Sequence, residues 1–110
     1  MIQRLREYGA DVDGALERFM ADEELFVKCI ELFTEDENFK LLEDAIAKKD
    51  YKTAFEAAHT LKGVSGNLGI TPVYESLSVL VETLRSKGYE NIEDEYREVV
   101  ELVKEFLAII

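Results

Sequence analysis

The most informative segment of the chain reads HTLKGVSGNLG and covers residues 59–69. It holds the sole histidine, His59, and Gly63 and Gly66 follow about one and two helical turns further on. A glycine inside a helix costs about 1 kcal/mol relative to alanine. Two such residues beside a single imidazole indicate that another molecule must come close to that ring.

The helix around this segment has one apolar side. A helical wheel at about 100° per residue groups the following residues on one arc: Ala54, Ala58, Leu61, Ser65 and Leu68. His59 lies about 120° from the centre of that arc, on the side that carries Gly63 and Gly66. The wheel therefore predicts an imidazole that points away from the protein core.

The rest of the chain also has the periodicity of helices. Apolar residues recur every three or four positions, and little of the sequence resembles a strand. Asp22 and Asp50 are predicted N-caps, and a break is predicted near residues 34–36. Thr71-Pro72 predicts a helix start, and Gly88 predicts a helix end. The predicted fold is all-α: an antiparallel up-down four-helix bundle, with one or two short N-terminal helices capping one end.

The composition restricts the kinds of partner. The chain has 110 residues and is expected to form a single domain over residues 1–110. Its 24 acidic and 13 basic residues give a net charge of −11, which would repel nucleic acids and anionic membranes. The first residues lack the apolar stretch of a signal peptide, and no segment is apolar for long enough to span a bilayer. We therefore expect a cytoplasmic monomer that binds neither nucleic acid nor membrane.

Three kinds of chemistry compete for the histidine. Glu56 and His59 match the Glu-x-x-His pattern of di-iron bundles, but such sites need a second histidine and inward-facing ligands. A hydrolytic triad with Ser65 lacks a carboxylate placed to orient the imidazole. An exposed imidazole with the Lys62 ammonium one turn on suits attack on phosphorus, because phosphoryl transfer relies on positioning and charge neutralisation. We therefore predict no metal site and favour phosphoryl transfer.

Residues 59–69 also carry a resemblance to a known family. They look like the signature of histidine-containing phosphotransfer (HPt) domains. DVDGALERF at residues 11–19 and DEEL at residues 22–25 resemble the amino-terminal part of the same family. The resemblance implies a four-helix bundle with an exposed histidine, acting as a phosphorelay intermediate in two-component signalling. Such a protein carries a phosphoryl group but has no kinase activity of its own.

The resemblance implies roles for individual residues. His59 is the expected phosphoacceptor, Lys62 is expected to stabilise the phosphoryl group, and Gly63 is expected to give access to the ring. Phe55 and Gly66 are expected to bind the partner.

The resemblance also implies partners. These are response-regulator receiver domains or a hybrid histidine kinase, with Mg²⁺ bound by the receiver and no cofactor bound by this chain. Glu82, on the following helix, is a candidate for orienting the imidazole. A second hypothesis stays open: a non-catalytic helical-bundle module that binds signalling proteins through the same surface without carrying phosphate.

Overall fold

The structure is a computed structural model that describes residues 1–110. It consists of α-helices joined by short connections, with no β-strand. The helices are α1 (Ile2–Tyr8), α2 (Val12–Arg18), α3 (Glu23–Thr34), α4 (Asn38–Lys48), α5 (Tyr51–Asn67), α6 (Thr71–Ser86) and α7 (Ile92–Ala108), and a 3₁₀ turn at Tyr89–Asn91 precedes α7.

Four consecutive helices form the bundle. Helix α4 packs against α5, α5 against α6, and α6 against α7, so the chain runs up and down through an elongated body of 40 × 21 × 21 Å. Across the remaining side, α4 and α7 face each other over an apolar groove lined by Phe39, Leu42 and Val103 among others. A continuous cluster of 22 buried apolar residues forms the core. The predicted antiparallel four-helix bundle is confirmed.

Aspartate caps set where two of the long helices begin. The Asp22 carboxylate accepts a hydrogen bond from the Leu25 amide at 3.0 Å, and the Asp50 carboxylate accepts one from the Thr53 amide at 3.2 Å. Hydrogen bonds from Thr53 hold the pKa of Asp50 below its usual value. Both caps are those that the sequence predicts, and the predicted break near residues 34–36 lies between α3 and α4.

The two ends of α6 agree with the prediction to different degrees. Thr71-Pro72 lies at the start of the helix, as predicted, but the N-cap is Ile70, and Thr71 is the first helical residue rather than the cap. The left-handed residue that ends it is Lys87, at φ 62°, whereas Gly88 has φ −98°. The ring of Tyr89, two residues after Lys87, stacks on that of Tyr51 at 3.9 Å between centroids. The exposed Lys87 takes a left-handed conformation that costs about 1 kcal/mol. The prediction that the helix ends at Gly88 was therefore wrong by one residue.

Helices α1 and α2 cap the end of the bundle at which α5 stops. The Asp11 amide donates a hydrogen bond to the Gly69 carbonyl at 2.7 Å. Gly69 has φ 72°, and a Cβ at this position would collide with the Asp11 carbonyl oxygen. The Tyr8 hydroxyl donates to the Leu102 carbonyl of α7 at 2.6 Å, which fixes α1 to the same end. Gly69 is thus required both by its own backbone conformation and by the close approach of the α1–α2 connection.

The substitution Gly69→Ala should lower the free energy of unfolding by at least about 2 kcal/mol, because it adds left-handed strain to a backbone collision. Gly63→Ala is the matched control, since no atom lies within 4 Å of where its Cβ would stand. Alanine there should raise the free energy of unfolding by up to about 1 kcal/mol. Urea unfolding followed by circular dichroism measures both variants. Equal stabilities would contradict the tight junction at Gly69.

Candidate functional site

His59 lies in the middle of α5, and its side chain is exposed to solvent. Ala58 and Leu61, on the core side of the same helix, are fully buried. Their burial fixes the rotation of α5 about its axis, so the imidazole points outward as the helical wheel predicts. No group of the chain is hydrogen-bonded to the ring, which leaves both ring nitrogens free to meet an incoming molecule.

An aromatic ring flanks the imidazole on the side towards the start of α5. The centroids of the Phe55 and His59 rings lie 5.7 Å apart, with 33° between the ring planes. The guanidinium carbon of Arg85, on α6, lies 5.6 Å from the centroid of the Phe55 ring. Phe55 is half-buried: part of its side chain packs against the core, and the rest contributes to the surface beside His59.

The two glycines after His59 differ in their surroundings. No atom lies within 4 Å of where a Cβ of Gly63 would stand, so the surface one turn from the ring is open. A Cβ at Gly66 would lie 3.1 Å from ring carbons of Tyr74, on α6. Gly66 therefore makes room for a ring of its own chain, and its role in binding a partner stays a prediction. A partner that reaches this level meets the exposed ring of Tyr74 instead.

Lys62 lies between these features. Its ammonium nitrogen stands 5.9 Å from the centroid of the Tyr74 ring, an arrangement typical of a cation–π contact. The ammonium forms no ion pair with an acidic side chain of the chain. Its charge is thus not neutralised by a carboxylate and stays available to an anion bound near His59.

Glu82 does not contact the imidazole through a hydrogen bond. Its carboxylate accepts a hydrogen bond from Arg85 Nη1 at 2.9 Å instead, and both side chains are more than half exposed. The orientation of the His59 ring by Glu82 stays a prediction. Sequence periodicity places Glu82 and Arg85 on one face of α6, but it does not tell which of the two faces the histidine.

Arg18 is a site-supporting residue that the sequence analysis missed. Its Nε donates to the Asn67 carbonyl and its Nη2 to the Gly66 carbonyl, both at 3.0 Å. These carbonyls belong to the last turn of α5, where a cation also interacts favourably with the helix dipole. A cleft of about 370 Å³ opens beside this junction and reaches Gly63 and Tyr74. The only signal in the sequence was the place of Arg18 within the DVDGALERF segment.

Negative charge is concentrated away from the histidine helix. Helix α7 carries six acidic and two basic residues, whereas α5 carries two lysines and one glutamate. The surface around His59 is therefore less negative than the net charge of −11 suggests. An acidic partner is repelled less strongly on this side than on the α7 side.

No group of three or more His, Cys, Asp or Glu side chains is arranged to hold a metal ion. None of the helices has the length and apolar character needed to cross a membrane.

Comparison with known proteins gives one match. The family model described as Hpt domain matches residues 30–108, which comprise the last five residues of α3 and the four helices of the bundle. The segments at residues 11–19 and 22–25 lie outside the match. Neither the curated proteins nor the solved structures compared with the chain gave a match.

The substitution Arg18→Ala should lower the free energy of unfolding by about 1 kcal/mol, because it leaves two carbonyls at the end of α5 without their charged donor. Amide hydrogen exchange should become faster at residues 68–70, which follow that end. Arg4→Ala is the control, since Arg4 is exposed on α1 and forms no ion pair. Unchanged exchange at residues 68–70 would show that Arg18 does not hold this end of the helix.

Proposed function

Because the chain belongs to the Hpt domain family, a family of phosphotransfer modules in two-component signalling, we propose that His59 is its phosphoacceptor. The phosphoryl group comes from the aspartate of a receiver domain or from a histidine kinase, and it passes on to the aspartate of another receiver. The observation that carries this proposal is the exposed imidazole beside the open surface at Gly63. The chain acts as a phosphocarrier, and the alternative of binding without phosphate is an outcome of the test below.

The transfer step is a displacement at phosphorus. A lone pair on Nε2 of neutral His59 forms the N–P bond while the P–O bond to the donor aspartate breaks. The aspartate carboxylate leaves with that electron pair, and the proton on Nδ1 stays on the ring. The reverse displacement, by the carboxylate of the next receiver, returns the ring to its starting state. Each step needs an accessible nitrogen and in-line approach of the donor, which the exposed position of His59 supports.

Lys62 has the role of neutralising charge on the phosphoryl oxygens. Charge builds up on these oxygens during transfer, and a fixed cation beside them stabilises the transition state. The ammonium of Lys62 lies one turn from His59 and rests against the Tyr74 ring. We assign Mg²⁺ and the acidic pocket around the phosphorylated aspartate to the receiver, so this chain needs no cofactor of its own.

The proposed docking surface for the receiver consists of the residues that surround the His59 imidazole. Gly63 leaves space for the loops of the receiver to come close to His59, while Phe55 and Tyr74 supply apolar contacts on either side. The two lysines and one glutamate of α5 favour approach of the acidic receiver pocket from this direction.

The substitution His59→Gln should abolish phosphoryl uptake. A receiver domain labelled with radioactive acetyl phosphate is mixed with wild type or variant, and the label on each chain is followed on a gel. Wild type should gain label that is lost in acid and stable in alkali, as expected of a phosphohistidine. Uptake of such label by His59→Gln would refute the assignment. Binding of receivers to wild type without any uptake would favour the phosphate-independent module instead.

The substitution Gly63→Leu should slow transfer from the labelled receiver at least about tenfold, because a bulky side chain holds the donor away from the ring. The fold should remain intact, since the position is open and leucine is a better helix former than glycine. Gly88→Leu is the control: Gly88 is also exposed, with φ −98°, but it adjoins Tyr89, which stacks on Tyr51 about two turns of α5 before His59. Equal transfer rates for the two variants would contradict the access role of Gly63.

A further inference from the structure

Arg85 lies against the Phe55 ring, and that ring in turn flanks the phosphoacceptor. Its guanidinium carbon stands 5.6 Å from the centroid of the Phe55 ring, and that ring stands 5.7 Å from the His59 ring. Its Nη1 donates to the Glu82 carboxylate at 2.9 Å. The side chains of Arg85 and Glu82 are 53% and 63% exposed, so water screens the pair and little energy is needed to separate it.

Two contacts fix the register of α5 against α6. Gly66 lies against Tyr74, and Phe55 lies against Arg85. Because the helices are antiparallel, each step forward along α5 from Phe55 corresponds to one step backward along α6 from Arg85. This register brings His59 level with the turn of α6 that contains Glu82, and Arg85 follows one turn later.

A phosphoryl group on His59 changes the charges around this turn. It adds between one and two negative charges and three strong acceptor oxygens, by analogy with other phosphorylated side chains. The carboxylate of Glu82 is then repelled, and the phosphoryl oxygens compete with it for the guanidinium. Arginine suits this exchange because it presents several N–H donors in one plane, and the face of that plane can stay on the Phe55 ring.

We propose that Arg85 is a second phosphate-binding cation, which moves its N–H donors from the Glu82 carboxylate to the phosphoryl oxygens once His59 is phosphorylated. This inference rests on the proposed function of His59. No covalent bond changes at Arg85, and its charge stays the same. The exchange stabilises the phosphorylated chain relative to the unphosphorylated one, so Arg85 governs how much phosphoryl group the chain retains, whereas Lys62 acts during transfer.

The test uses potassium phosphoramidate as a donor, so that no receiver docking is involved. In this reaction the P–N bond of the donor breaks, ammonia leaves, and the N–P bond to His59 forms. The ratio of phosphorylated to unphosphorylated chain at steady state is read from intact mass spectra. Arg85→Gln should lower this ratio about threefold to tenfold, and Arg85→Lys should restore part of it.

Arg97→Gln is the matched control, because Arg97 forms the same kind of exposed pair, with Asp94 on α7 at 2.9 Å. It removes the same charge at a distance from the site and should leave the ratio unchanged. Wild type that takes up no phosphate would defeat the proposed function and this inference together. Normal uptake by wild type, with Arg85→Gln equal to Arg97→Gln, would defeat this inference alone.

A double-substitution cycle separates direct binding from a general effect of charge. Glu82→Gln should raise the ratio when Arg85 is present, because it frees the guanidinium. In the Arg85→Gln background the same change should have a clearly smaller effect. Additive effects of the two substitutions would show that each side chain acts only through its charge. The proposed exchange of partners at Arg85 would then be wrong.

Discussion

The burial of one face of α5 is the constraint on which the site depends. Ala54, Ala57, Ala58 and Leu61 are at most 2% exposed, so the helix cannot rotate without bringing polar groups into the core. His59 is thereby held on the outer face, although no hydrogen bond fixes its ring. Phe55 and the Tyr74 ring lie on either side of the histidine along this outer face, each with a basic side chain against it.

Much of the fold and the outward direction of His59 could be predicted from the sequence, because both follow from a local periodicity. Asp22 and Asp50 cap their helices as expected, since an aspartate cap acts on amides only three residues away. The end of α6 could not be placed to the residue, because glycine is the residue expected in a left-handed helix end, whereas here Lys87 takes that conformation one residue earlier.

The contacts that surround the histidine were less accessible to sequence reasoning. The fit of Tyr74 against Gly66, the pairing of Glu82 with Arg85, and the bonds from Arg18 to α5 all join different helices or depend on how they are placed. Periodicity gives the face on which a residue lies but not the register of one helix against the next. For this reason the two glycines after His59 looked equivalent in the sequence, whereas one faces open space and the other faces a ring.

The attachment of α1 and α2 to the end of α5 bears on where the functional unit begins. The family match starts at residue 30, yet Asp11 and Arg18 bind the backbone of the histidine helix and its following turn. A fragment cut at the start of the match would lose this brace and leave carbonyls at the end of α5 bare. A chimeric signalling protein that receives this bundle should therefore include the first 29 residues as an integral part of the module.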